Sequence, residues 1–160
     1  MSQGDPFPDY AAEDLEDREV ALSDLEDRPY MLKIWATWCA PCVREMPKLQ
    51  ELHETMPNTP FTVVAVSIDR HGAGSAVEAF LEEHRINLPI WRDPRNRVSR
   101  TLRATGVLET FLVDHEGRLM RRWVGLFDPT EEEVVAQVRE LVGASWPRGR
   151  RHRVRASHLR

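Results

Sequence analysis

Cysteine is scarce in this chain of 160 residues: there are two, Cys39 and Cys42. Two are too few for a disulfide framework. A bridge across so short a loop would also constrain the unfolded chain little. If these thiols pair, the pairing serves chemistry more than stapling. No run of about eighteen apolar residues occurs, which excludes a membrane-spanning helix. The opening MSQGDPFPDY has neither a basic end nor an apolar stretch, so no export signal is expected. No internal repeat is visible.

What is present fits one soluble domain with one core. Hydrophobic residues make up 41% and charged residues 30%, which places the chain among ordinary globular proteins. The net charge of −4 conceals an asymmetry, because residues 1–30 carry −8 and residues 148–160 carry +6. That basic end, RGRRHRVRASHLR, has no acid and no aromatic residue to stack on bases. It reads as a disordered, Arg-rich tail over 147–160, capable of weak contact with anionic partners, and no nucleic-acid binding is expected. Residues 1–7 read as a flexible N-terminus and 8–146 as the domain.

Within the domain, YMLKIWA (30–36) and FTVVAVSI (61–68) read as buried strands. Val43, Met46, Leu49, Leu52 and Met56 recur at helical spacing and predict a helix over 41–56, kinked at Pro47. Ser75 with Glu78, and Thr130 with Glu133, are candidate capping boxes for two further helices. Asp93-Pro94 is expected to start a short helix running to about Arg103. TFLVD and RLMRRWVG read as strands joined by a turn ending at Gly117. Val134, Val135, Val138, Leu141 and Val142 form the inner face of the last helix. DYAAEDLEDREVALSDL looks like an extra hairpin at the front. The alternation implies an α/β fold, a central mixed sheet flanked by helices.

Cys-x-x-Cys directly after a buried strand and at a helix start signals a thiol-disulfide centre. Unpaired N–H groups and the positive end of the helix face the first thiol, favouring its thiolate. The second, one turn along, can resolve a mixed disulfide. Pro41 between them stiffens the loop and helps set the redox balance. A zinc site would need two more ligands at metal spacing, and the histidines are scattered. No metal and no cofactor are expected.

IWATWCAPCVREMPKL resembles the TlpA/ResA-like thiol-disulfide oxidoreductases of the thioredoxin superfamily, whose motif W-A-T-W-C-x-P-C-x-x-E-x-P matches from Trp35 to Pro47. VVAVSID, LPIWRDP and GV-ETFLVDHEGRL fall where that family has its later strands. The resemblance implies a thioredoxin-like fold with an N-terminal β-hairpin extension. It implies a redox enzyme acting on disulfides of partner proteins, with an upstream thiol electron donor and Cys39–Cys42 as the redox-active disulfide. It makes Cys39 the nucleophile, Cys42 the resolving thiol and Trp38 a flat cover. Glu45 matches the family glutamate; beneath the thiols it could shuttle protons with a raised pKa, the alternative being a solvated helix residue. The resemblance points to the cell envelope or periplasm, and the absence of an export signal at the start of this chain makes the cytoplasm the alternative. A monomer is expected.

Two positions depart from the pattern. Lys33 stands where the family has asparagine. It either favours the thiolate and pairs with Glu45, or carries its ammonium out to solvent at a sheet edge. Leu108 stands where the family has a cis-proline that faces the cysteines, so the groove formed by Val107, Leu108 and Glu109 is altered. The Val107–Leu108 bond is expected to be trans, since a non-proline cis bond costs about 3–4 kcal/mol. Two alternative functions follow: a binding or adaptor module with weakened catalysis, and a thiol peroxidase.

Overall fold

A computed structural model describes residues 1–145. The tail expected over 147–160 lies outside the described residues. The element order is β1 (Ala11–Asp14), β2 (Glu19–Ala21), β3 (Tyr30–Trp35), α1 (Ala40–Glu54), β4 (Thr62–Ser67), α2 (Gly74–Glu83), β5 (Ile90–Arg92), α3 (Arg97–Thr101), β6 (Glu109–Val113), β7 (Leu119–Val124) and α4 (Glu132–Ser145). One seven-stranded sheet runs β2-β1-β5-β4-β3-β6-β7. β3 pairs in parallel with β4, and β4 with β5, through the two helical crossovers. β6 and β7 are antiparallel, joined by the turn at Asp114–Gly117, where Gly117 takes φ 78°. The front hairpin continues the sheet, β1 lying antiparallel to β5. The mixed α/β sheet expected from the sequence is therefore present.

β3 lies inside the sheet, between β4 and β6, and every residue of it is buried. Met31, Leu32, Ile34 and Trp35 are each 0% exposed, and fully burying side chains of this size contributes roughly 1.5–3 kcal/mol apiece. Because β3 is an interior strand between β4 and β6, its carboxyl end is held from both sides: Ile34 and Trp35 pair with Val66 and Ser67, and Ile34 O accepts from Leu108 N–H. That end runs straight into the turn carrying the cysteines.

Several local expectations are corrected. The first seven residues contact the sheet: Gly4 N–H donates to Leu119 O at 2.7 Å, Leu119 N–H to Asp5 O at 2.9 Å, and Phe7 packs against Tyr30 and Phe111. The Ser75/Glu78 capping box does not form, since α2 begins one residue earlier behind an uncapped Ala73. At Thr130 the hydroxyl donates to Asp128 Oδ1 at 2.5 Å, and it is the carbonyl of Glu131, just before α4, that accepts from Val135 N–H. The helix expected from Asp93 is shortened to α3. Asp93 caps it from a distance, its Oδ2 accepting from Val98 N–H at 2.7 Å.

Candidate active site

The turn after β3 places Cys39 at the N-cap of α1 and Pro41 in its first turn. Proline belongs there, where its missing N–H is not needed and its φ is already helical. Cys39 and Cys42 are joined as a disulfide, with Cα atoms 5.2 Å apart. Cys39 Sγ accepts from the Cys42 backbone N–H at 3.4 Å. The first sulfur thus sits on an unpaired amide at the positive end of a helix, the arrangement that stabilises a thiolate once the bridge is reduced. Cys39 keeps 6% exposure and Cys42 none, so of the two cysteines Cys39 is the one open to solvent. Trp38 beside it is 65% exposed.

Glu45 follows Cys42 by three residues, on the same side of the helix. It is not solvated: it is buried, and both carboxylate oxygens are engaged. Oε1 meets Lys33 Nζ at 2.6 Å, and Oε2 accepts from Phe127 N–H at 3.4 Å. Lys33 does not reach solvent, because β3 is an interior strand and not an edge, and the side chain is 0% exposed. Its Nζ also donates to Thr110 Oγ1 at 3.3 Å and lies 5.9 Å from the centre of the Phe127 ring. Burial pushes the Lys33 ammonium below the ordinary lysine value, and Glu45 partly restores it.

Leu108 lies in the turn before β6, and every peptide bond among the described residues is trans, Val107–Leu108 included. Leu108 takes φ 69°, a left-handed conformation that costs a non-glycine residue roughly 1–2 kcal/mol. Two hydrogen bonds hold it there: Leu108 N–H to Ile34 O at 3.2 Å, and Gly125 N–H to Leu108 O at 2.9 Å. Leu108 thereby laces the ends of β3 and β7 together, and its own polar groups are used up. The Val107 N–H and C=O have no protein partner among the described residues. The Glu109 side chain is buried, accepts from Thr105 N–H and Oγ1, and pairs with Arg122 at 2.9 Å. It braces the 105–109 turn.

One supporting group escaped the sequence reading. Asp69, two residues past β4, accepts from Thr37 Oγ1 at 2.5 Å, from Thr37 N–H at 3.1 Å and from Ser67 Oγ at 2.6 Å. It fixes the turn two residues before Cys39. The three large apolar side chains left exposed among the described residues are Trp38, Val124 and Leu126. Leu126 sits between Gly125, bonded to Leu108, and Phe127, bonded to Glu45. Among the described residues, no helix is long and apolar enough to cross a membrane.

The AhpC/TSA family model matches residues 3–122. A ResA thiol-disulfide oxidoreductase of Geobacillus thermodenitrificans is 31% identical over 134 residues, covering 84% of this chain and 75% of that protein. A DsbF homologue of Corynebacterium diphtheriae has a similar structure, with TM-score 0.72 and 26% identity over 82% of this chain and 85% of the other. The thioredoxin domain of a Bacteroides vulgatus thiol-disulfide oxidoreductase, 21% identical, superposes with TM-score 0.75 over 89% of this chain and 99% of its own. That superposition shows the thioredoxin-like fold. A disulfide on the first turn of α1, the sheet that holds it and these likenesses agree: the chain belongs to the AhpC/TSA family, among the ResA-like thiol-disulfide oxidoreductases.

Proposed function

We propose that this thiol-disulfide oxidoreductase works as a reductase of disulfides in partner proteins. The observation that carries the reading is the Cys39 sulfur resting on the Cys42 amide at the start of α1. The reduced enzyme presents Cys39 as a thiolate. It attacks one sulfur of the substrate disulfide; a new S–S bond forms and the other substrate sulfur leaves as a thiolate. Cys42 then attacks Cys39 Sγ, releasing the second substrate thiol and closing the Cys39–Cys42 bridge. Two electrons have moved, and a thiol donor returns them. No cofactor enters the cycle.

Glu45, one turn beyond Cys42, is placed to take the proton from that buried thiol as it becomes a nucleophile, and Lys33 fixes its position. The exposed apolar side chains of Trp38, beside Cys39, and of Val124 and Leu126, beside the residues bonded to Leu108 and Glu45, suit a partially unfolded or apolar protein segment. Val107, with its backbone groups free, offers the short edge on which that segment pairs. The enzyme acts as a monomer, and the family likeness favours the cell envelope as its place of work.

Reduction of insulin disulfides, followed by turbidity, tests the proposal beside consumption of hydrogen peroxide. The proposal expects insulin reduction that disappears in Cys39→Ser. Peroxide consumption without insulin reduction would make the protein a thiol peroxidase. Neither activity would leave a binding module.

A further inference from the structure

The carboxyl ends of the parallel strands β4 and β5 open onto a cavity of about 390 Å³ that the thiol chemistry does not use. Crevices outside the carboxyl ends of parallel strands are where α/β sheets bind ligands. Four arginines line this one: Arg70, Arg92, Arg95 and Arg97. Arg97 is 3.9 Å from Asp93 Oδ1. Arg70, Arg92 and Arg95 have no acidic partner among the described residues.

None of the acids in the wall is ion-paired with Arg70, Arg92 or Arg95. Asp69 is committed to Thr37 and Ser67. Asp93 Oδ2 accepts from the Tyr10 hydroxyl and from Val98 N–H, each at 2.7 Å. Glu13 and Asp17 stand exposed at the rim, with no ion pair to any of the arginines.

The loop Arg70-His71-Gly72-Ala73-Gly74 leads from β4 into the first turn of α2, which has no side-chain cap and no acid. The Arg92 guanidinium lies across that turn: a Cβ on Gly74 would stand 3.3 Å from Arg92 Nη2. A cation over the positive end of a helix is an unfavourable pairing, and an anion between them would reverse it. A second observation bears on the ligand's protonation. Asp93 Oδ1, on a residue 1% exposed, accepts no hydrogen bond and has Arg97 Nε only at ion-pair distance, 3.9 Å. A buried acceptor left in this way calls for a ligand that also carries a donor hydrogen.

From these features we infer that the cavity is a binding site for the phosphoryl group of a small molecule. Its anionic oxygens face Arg70, Arg92 and the first amides of α2, and a protonated oxygen or neighbouring hydroxyl donates to Asp93 Oδ1.

Isothermal titration of the full chain with inorganic phosphate and with glycerol 3-phosphate, against sodium chloride at matched ionic strength, tests the inference. Saturable binding of at least one is expected. It should weaken about tenfold or more in both Arg70→Gln and Arg92→Gln and stay unchanged in Arg139→Gln, on the exposed side of α4. Circular dichroism establishes that the variants are folded. Tighter binding of glycerol 3-phosphate marks an ester as the ligand, and tighter binding of phosphate marks the free ion. No saturable heat beyond the chloride control would overturn the inference. So would binding that survives both glutamine substitutions, since the anion would then sit elsewhere on the chain.

Discussion

Replacing Lys33 with methionine should destabilise the protein far more than a surface substitution does. The pair it breaks has side chains 0% and 1% exposed and an N–O distance of 2.6 Å. Removing one member of such a pair leaves a charge in the core without its partner, at a cost of about 3–5 kcal/mol. Phe127 N–H, at 3.4 Å, is too weak a donor to replace the ammonium. Glu45→Leu alone should cost a similar amount. The double variant Lys33→Met/Glu45→Leu removes both charges and should recover most of the loss, because an apolar replacement of a buried pair is often neutral or better. Urea unfolding of the four proteins closes the cycle. The pH dependence carries a sign. Burial lowers the folded pKa of Lys33, so between that value and about 10.4 the unfolded chain binds the extra proton. Stability from this group therefore rises with pH across that window and is lost as pH falls through the folded value. The gap between parent and Lys33→Met should widen toward alkaline pH. A single variant within about 0.5 kcal/mol of the parent would refute the reasoning, as that is the range of surface changes. A double variant that loses the sum of the two singles would refute it too.

Limiting iodoacetamide on the reduced protein should label Cys39 before Cys42, which is fully buried; mass spectrometry of the peptides reads the order. Leu108→Pro, which restores the family residue, should destabilise the protein by about 3 kcal/mol or more: it deletes the N–H bonded to Ile34 O and demands a negative φ where the chain has 69°. An unchanged melting temperature with faster insulin reduction would show that the loop rebuilds around proline. Asp69→Ala should cost about 1–3 kcal/mol, from the unsatisfied Thr37 amide and hydroxyl, and should slow alkylation of Cys39; alkylation at the parent rate would show that the turn holds itself. A chain ending after Trp146 should reduce insulin as the parent does, in the same turbidity assay.

The elements legible in the sequence were those with strong apolar patterning. β3 and β4 are near-continuous apolar runs, and the observed strands fall within one residue of the ranges read for them. The inner face of α4 also agrees, with Val134, Val138 and Leu141 buried. Caps were less legible, because a Ser or Thr three residues before Glu states only a local preference. At Thr130 a nearer acceptor, Asp128, captured the hydroxyl. Lys33 could not be decided locally either: its fate depends on Glu45, twelve residues away on another element, and on β3 being an interior strand. Asp69 was invisible for the same reason, its partner Thr37 lying 32 residues earlier. The cysteine pair was legible because its chemistry depends on local geometry, a strand ending where a helix begins.

The most direct test of the account is to trap the intermediate. Cys42→Ser, reduced and mixed with a disulfide-bonded protein, should accumulate a mixed disulfide that mass spectrometry places on Cys39, while Cys39→Ser should trap nothing. A stable adduct on Cys42 in the Cys39→Ser protein, or no adduct in either, would contradict the assignment of Cys39 as the attacking thiol.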